Sequence, residues 1–354
     1  MENRKSRELL PDVLRGFAIL LVVLGHCIQE GSGEQYSAQA LYFYDKLYQF
    51  IYSFHMPLFM MVSGYLSWSS MKRAQTRQDR WQLLKRRAIA LLAPIFLWTL
   101  MDCVRTMMIH SVNGLEQPQN LLFWYAESAL NNLWFLWAVF WCFLVTFIMH
   151  YYCRDSIILY VAGFLVMFVI PDGLGLGAYK YMMPFFLVAF YGHGWLERHG
   201  DKICEKPKLW WIVLFGVCFA GLFAFFDENS MIYLTGYKLI GKDVVRQLGI
   251  DLYRTLIGFV GGAFFVLLWQ YIVGAVCGSK ENVFLRLLAL LGRESMGIYI
   301  FSGYILILGV RQLSFINEPS YGVHLIEMVV ITAVSLGLSM LLGRIPILRK
   351  MVGK

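Results

Sequence analysis

The chain has 354 residues, of which 58% are hydrophobic and only 15% charged, and its mean hydropathy is +0.58; these values exclude a soluble globular protein. The formal charge of +8 sits in clusters between apolar runs, not in a separate basic domain. That pattern fits the positive-inside bias of a membrane protein and argues against a nucleic-acid partner.

Apolar windows predict an all-α, polytopic membrane helical bundle of about ten transmembrane helices. They lie near 11–29, 42–68, 88–110, 132–151, 156–171, 179–197, 209–226, 250–277, 288–313 and 322–343. The whole of 1–354 is expected to form a single membrane-embedded domain. Arg4, Lys5 and Arg7 precede the first window, and Lys72 to Arg87 follow the second. Later basic turns of the same parity carry Lys202, Lys206, Lys280, Arg344 and Lys350, which predicts both termini in the cytoplasm. The segment 227–249 disagrees, because Lys238, Lys242 and Arg246 lie on the side expected to be outside. It is either a half-buried acceptor loop or a point where the count of crossings fails.

The first window, Leu9 to Cys27, places Asp12, Arg15 and His26 on an otherwise apolar helix. Such residues inside a membrane are costly unless they are used. On a helix Arg15 and His26 differ by about 20° in phase and by about 16 Å in height. One stripe therefore carries a carboxylate and a guanidinium near its start and an imidazole near its end, with Ile19 and Val22 between them. Asp12 and Arg15 also suit a simple interfacial anchor, and His26 a hydrogen bond between helices. No small-residue cleavage site follows the window, so it reads as an uncleaved helix.

The second window contains His55 and Pro57, and the proline predicts a break or kink that frees a carbonyl beside the histidine. Ser63 and Gly64 further along would let another helix or a slender ligand approach closely. The basic run that follows ends in Lys85, Arg86 and Arg87; it is either a topology anchor or a phosphate site. The outer loop, uncharged except for Glu116 and Glu127, ends in NNLWFLW, so Trp134 and Trp137 are either belt residues or platforms for sugar rings, with Glu30 on the same expected side. His110, His150, His193, His199 and His324 read as structural or solvated. The ninth window opens with Arg293, Glu294 and Ser295, either a local ion pair or a donor contact. Seven scattered cysteines without a CxxC predict neither a disulfide framework nor a metal site.

Four stretches, PDVLRGFAILLVVLGH, FHMPLFMMVSGYL, KRRAIALLAP and NLWFLWAVF, with LGRESMGIYI as a weaker fifth, resemble the acyltransferase 3 family of integral membrane O-acyltransferases. The FHMPLF and SGY pattern is similar to the branch that includes fucose 4-O-acetylases. The resemblance implies catalytic roles for His26, His55 and Asp12. It implies contacts to acyl-CoA, acetyl-CoA by family frequency, from Arg15, Arg86 and Arg87, with Ser63, Gly64, Arg293 and Ser295 as further donor contacts. It also implies a carbohydrate or lipid-linked glycan acceptor touched by Trp134, Trp137 and Glu30, no tightly bound cofactor, and a place in the bacterial cytoplasmic membrane. Where many members have a histidine after the ninth-window motif, this chain has Ser302. Two other classes stay open on the residues alone. Intramembrane charges also mark a transporter or flippase, and a non-catalytic sensor is the third.

Overall fold

The computed structural model describes residues 9–153, 155–169, 176–199, 207–237, 243–276, 282–310 and 320–354. Among them are fourteen α-helices and no strand. In chain order these are α1 (Leu9–Glu30), α2 (Glu34–Ala38), α3 (Lys46–Arg73), α4 (Arg77–Val112), α5 (Leu121–Asn131), α6 (Trp134–Tyr152) and α7 (Ile157–Val169). They continue as α8 (Leu176–His199), α9 (Leu209–Phe223), α10 (Ile232–Thr235), α11 (Val244–Val276), α12 (Val283–Arg293), α13 (Ser295–Leu308) and α14 (Tyr321–Arg344). Five of them, α1, α4, α6, α11 and α14, are long and apolar enough to cross a bilayer. The protein is an all-α, multi-pass membrane protein.

Among the described residues each expected window falls mainly on helix, with two corrections. Of the break or kink expected at Pro57 there is no break, since α3 continues through it. The predicted ninth window is two helices, α12 and α13, which meet at Glu294. Helix starts follow local chemistry: Thr76 and Asp79 form a capping box at α4, and Asn282 accepts from the first free N–H groups of α12. The basic residues Arg4, Lys5, Arg7, Lys202, Lys206, Lys238, Lys242 and Lys280, with Cys204 and Cys277, lie outside the described residues.

The chain divides into two compact units. One comprises residues 1–68, 184–235 and 245–340; the other comprises 69–183, 236–244 and 341–354. In the first unit α1 is the central element. Two-thirds of its apolar window (67%) is buried, against 33% for α11 and 22% for α14. It packs most closely against α12 and α13, and glycines make this possible. A Cβ on Gly16 would stand 1.9 Å from the Leu288 carbonyl oxygen, and one on Gly292 would stand 1.9 Å from that of Asp12. In the second unit α4 packs against α5, α6 and the C-terminal turn, where Trp98 Nε1 donates to the Met351 carbonyl at 2.9 Å.

Because both glycine contacts are backbone against backbone, a methyl group cannot be absorbed by a rotamer change. Gly16→Ala and Gly292→Ala should each destabilise the purified protein by about 1–3 kcal/mol. Thermal unfolding in detergent checks this, with Gly163→Ala, whose Cβ meets nothing within 4 Å, as the unchanged control.

Candidate functional site

The polar residues of α1 sort to its two ends. Near the start Asp12 is buried, at 3% exposure, and its Oδ2 lies 3.7 Å from Arg293 Nη1 at the end of α12. The local pair expected between Arg293 and Glu294 is replaced by contacts across helices. Arg293 reaches α1, and Glu294 Oε2 accepts from Ser339 Oγ of α14 at 2.6 Å. Ser295 is buried in the first turn of α13, and Arg15 is half-buried. Between the two ends Ile19 and Val22 are buried, at 1% and 4% exposure.

At the other end His26 and His55 lie within electrostatic reach of each other. His26 is half-buried; its Nδ1 is sealed from solvent without a hydrogen-bond partner among the described residues, so the accessible nitrogen is Nε2. His55 is 1% exposed, and its Nδ1 lies 2.7 Å from the Ile51 carbonyl oxygen. A carbonyl only accepts, so Nδ1 carries the proton and Nε2 of neutral His55 carries the lone pair. The Tyr52 ring joins the two histidines. It meets the backbone at Gly25, where an added Cβ would stand 2.8 Å from Cε2, and it stands edge-on to His55 at 4.6 Å. Tyr299 closes the far side, 6.4 Å from the His26 ring.

From Tyr52 an aromatic cluster continues away from the histidines. Tyr48 stacks on Tyr52 at 4.0 Å, Tyr42 lies 5.1 Å from Tyr48, and Tyr233 lies 6.1 Å from Tyr52. A polar chain runs beside the rings. Tyr48 Oη donates to Gln29 Oε1 at 3.4 Å, Gln29 Nε2 donates to Glu30 Oε1 at 2.9 Å, and Ser37 Oγ donates to Glu30 Oε2 at 3.2 Å. In the neighbouring α2, burial and then the Asp45 carboxylate push the Tyr36 phenol up to about 12, so it stays neutral.

Two histidines expected to be incidental have specific partners. His324 is fully buried, with Nδ1 3.0 Å from Glu327 Oε2 and Nε2 3.0 Å from Ser32 Oγ, and so ties the residue pair after α1 to α14. His193 Nδ1 donates to the Tyr65 carbonyl at 2.8 Å, and its ring stacks on Tyr65 at 3.8 Å. His193 and Tyr65 border an apolar cavity of about 570 Å³ whose wall includes Leu10, Pro11 and Leu14 of α1. Of the two expectations for Gly64, a helix or a slender ligand, a helix is what approaches it, because a Cβ there would stand 2.1 Å from the Phe186 carbonyl oxygen of α8. Ser63 is half-buried, and its carbonyl accepts from Ser67 Oγ.

The second unit carries the basic residues of α4. Arg87 holds its guanidinium 5.5 Å over the Phe143 ring, and Arg80, seven residues earlier on the same face, lies 4.3 Å over Tyr151. Arg86 is exposed. Trp137 is 8% exposed and gives its N–H to the Ala129 carbonyl at 2.9 Å, while Trp134 lies edge-on to Phe135 at 5.9 Å.

The family model of the acyltransferase 3 group, described as an acyltransferase domain, matches residues 10–344. The chain belongs to this family. It is 29% identical over 187 residues to the nodulation protein NolL of Mesorhizobium japonicum, covering 52% of this chain and 48% of that protein. It is also 29% identical over 206 residues to NolL of Sinorhizobium fredii, covering 58% of this chain and 54% of that protein. The chain thus matches about half the length of these curated relatives. No solved structure matches it.

Of the residues singled out in the sequence, the first unit gathers His26 with His55, and Asp12 with Arg293. Arg86, Arg87, Trp134 and Trp137 belong to the second unit. Sequence reading missed Tyr52 and Tyr299, which carry no motif spacing. It also missed Arg80, whose seven-residue separation from Arg87 was a usable signal. Ser302 is fully buried and bonds back to the Tyr299 carbonyl at 3.2 Å. The geometry at Ile51 predicts that His55 is the neutral Nδ1–H tautomer at pH 7. Nitrogen-15 chemical shifts of selectively labelled histidine, assigned with His55→Gln, check this; a protonated Nε2 in neutral His55 would contradict it.

Proposed function

We propose that this acyltransferase takes an acyl group, acetyl in the simplest case, from cytosolic acyl-CoA and transfers it to a hydroxyl of an extracytoplasmic or lipid-linked glycan. The observation that carries the reading is the His26 centre: an imidazole on the most buried membrane helix, accessible at Nε2, flanked by a second imidazole and by phenols. A neutral imidazole carries a lone pair that can accept a proton from an attacking hydroxyl. In the proposed step the acceptor oxygen attacks the thioester carbonyl while Nε2 of His26 removes its proton. The C–O bond forms, the C–S bond breaks, and the proton passes from His26 to the departing thiolate. Neutral His55 has its only N–H committed to Ile51 and cannot donate to the developing oxyanion. Its role is to orient the groups around His26, and the oxyanion donor is assigned to a hydroxyl of the surrounding tyrosines. An oxyanion donor of this kind contributes about 3 kcal/mol.

For the donor, we assign phosphate contacts to Arg80 and Arg87, on one face of α4 in the second unit; in the first unit Arg15 is assigned a donor contact of its own. Guanidinium groups match phosphate in bidentate fashion, and the two on α4 are preoriented by the rings beneath them. Arg86, exposed and without a ring beneath it, is assigned a smaller share, and Arg293 is assigned to Asp12. The catalytic contribution of Asp12 is to hold the α1–α12 junction through that pair.

Purified protein incubated with labelled acetyl-CoA and candidate glycans tests the reading. Wild type should move label to glycan, and His26→Ala should abolish transfer while still binding CoA. Full activity in His26→Ala would remove this residue from the chemistry, and label remaining on CoA with every acceptor would favour a transporter. By calorimetry, Arg15→Ala, Arg80→Ala and Arg87→Ala should each weaken CoA binding by about tenfold, or about 1.4 kcal/mol, with a smaller effect for Arg86→Ala.

A further inference from the structure

We infer that the first two turns of α14 are a positioning element for the acyl-transfer centre: Tyr321, His324 and Glu327 tie the end of α1, which carries His26, to the start of α3, which carries His55. This rests on the chemistry proposed at His26 and adds the groups that set the geometry there.

The helix α14 is the least buried of the five long apolar helices, and Leu325, Ile326, Val329 and Val330 lie exposed on it, a surface suited to lipid. Its first turns nevertheless hold an imidazole with no exposed surface and a carboxylate side chain that is 10% exposed. Ionisable groups in such a place are costly unless they are used. Spaced three residues apart, Tyr321, His324 and Glu327 share one side of the helix, and each has a specific partner. His324 Nε2 lies 3.0 Å from Ser32 Oγ, which donates to the Ile28 carbonyl at 2.8 Å. Ile28 belongs to the last turn of α1, where carbonyls lack helical donors, and in the same turn the Gly31 N–H donates to the Cys27 carbonyl at 2.7 Å. Ser32, with His324 behind it, therefore closes α1 two residues past His26. One turn earlier on α14, Tyr321 Oη donates to Asp45 Oδ2 at 2.7 Å, while Asp45 Oδ1 accepts from the Tyr48 N–H at 2.8 Å and so caps α3. One and two turns beyond Tyr48, the same helix delivers Tyr52 and His55.

A serine, a histidine and a carboxylate in this order have the connectivity of a nucleophile triad, but the protons are placed for a different use. The Ser32 hydroxyl has one hydrogen, and the Ile28 carbonyl, which can only accept, takes it. Nε2 of His324 is then the donor to Ser32 Oγ and holds no lone pair with which to activate it. Nδ1 and Glu327 Oε2, 3.0 Å apart, share the remaining proton. Ser32 is also fully buried. The carboxylate thus fixes the ring, the ring fixes the hydroxyl, and the hydroxyl fixes the end of the helix. With α3 capped from the same side of α14, the spacing of the two imidazoles is set by one element. Placement matters to rate, since an error of about 1 Å can cost on the order of a hundredfold.

Nitrogen-15 spectra of the full-length, histidine-labelled protein in nanodiscs, together with initial rates of label transfer from acetyl-CoA to the candidate glycans, test this. Ser32→Ala and Tyr321→Phe each remove one hydroxyl, Ser32→Thr keeps it, and Ser335→Ala, at a buried position about three turns further along α14, is the control. Ser32→Ala should move the ring-nitrogen signals of His26 and lower kcat about tenfold with KM for acetyl-CoA unchanged. Tyr321→Phe should move those of His55 with a smaller loss of kcat, because that tyrosine is half exposed. Ser32→Thr should recover both readouts, and Ser335→Ala should leave both as in wild type. Unmoved signals in both Ser32→Ala and Tyr321→Phe, or an equal movement in Ser335→Ala, overturn the positioning role. An acyl group found on Ser32 of the wild type by mass spectrometry, with transfer abolished in Ser32→Ala, would make the set a nucleophile triad and overturn it as well. A wild type that transfers no label to any glycan would overturn the functional reading instead, and the nitrogen signals would still decide the positioning.

Discussion

A carboxylate buried in an apolar membrane helix is tolerated only with a partner, and the pairing of Asp12 with Arg293 is the constraint on which the first unit is built. The two groups meet because Gly16 and Gly292 let α1 and α12 approach until backbone touches backbone. That approach makes α1 the interior helix of its unit. Every other polar side chain on it must then face protein, and the position of His26 follows from the register set sixteen ångströms or so away along the same rod.

At the far end the same helix delivers an imidazole into a setting of phenols and a second imidazole. The division of labour among them is decided by where protons already reside. His55 donates its Nδ1–H to the Ile51 carbonyl and keeps the Nε2 lone pair, whereas His26 has its Nδ1 buried without a partner among the described residues. A buried polar atom without a partner is uncommon in folded proteins.

Much of the fold was legible from the residues. A charged stripe on α1, the Thr76–Asp79 cap and the apolar windows each act locally, and each is where the sequence puts it. Contacts between distant segments were not legible. Pro57 was expected to break or kink its helix, yet α3 continues through it without a break. Gly64 was open to two readings, a ligand or a helix, and only the placement of Phe186 decides for the helix. Ile19 and Val22 share a stripe and are both buried, but side-chain periodicity tells which residues share a face and not what lies against it. The tyrosine cluster draws on residues 42, 48, 52 and 233, and His324 finds Ser32 nearly three hundred residues away, so neither leaves a pattern in any local window.

On the proposed reading α1 bears Arg15 toward the donor end and His26 and Glu30 toward the acceptor end. The most direct test is sidedness in sealed proteoliposomes of defined orientation, with labelled acetyl-CoA trapped on the face bearing Arg15 and a membrane-impermeant glycan supplied only on the face bearing Glu30. Label appearing on the glycan across the intact bilayer is the predicted result. Transfer only when both substrates share one face would contradict the account.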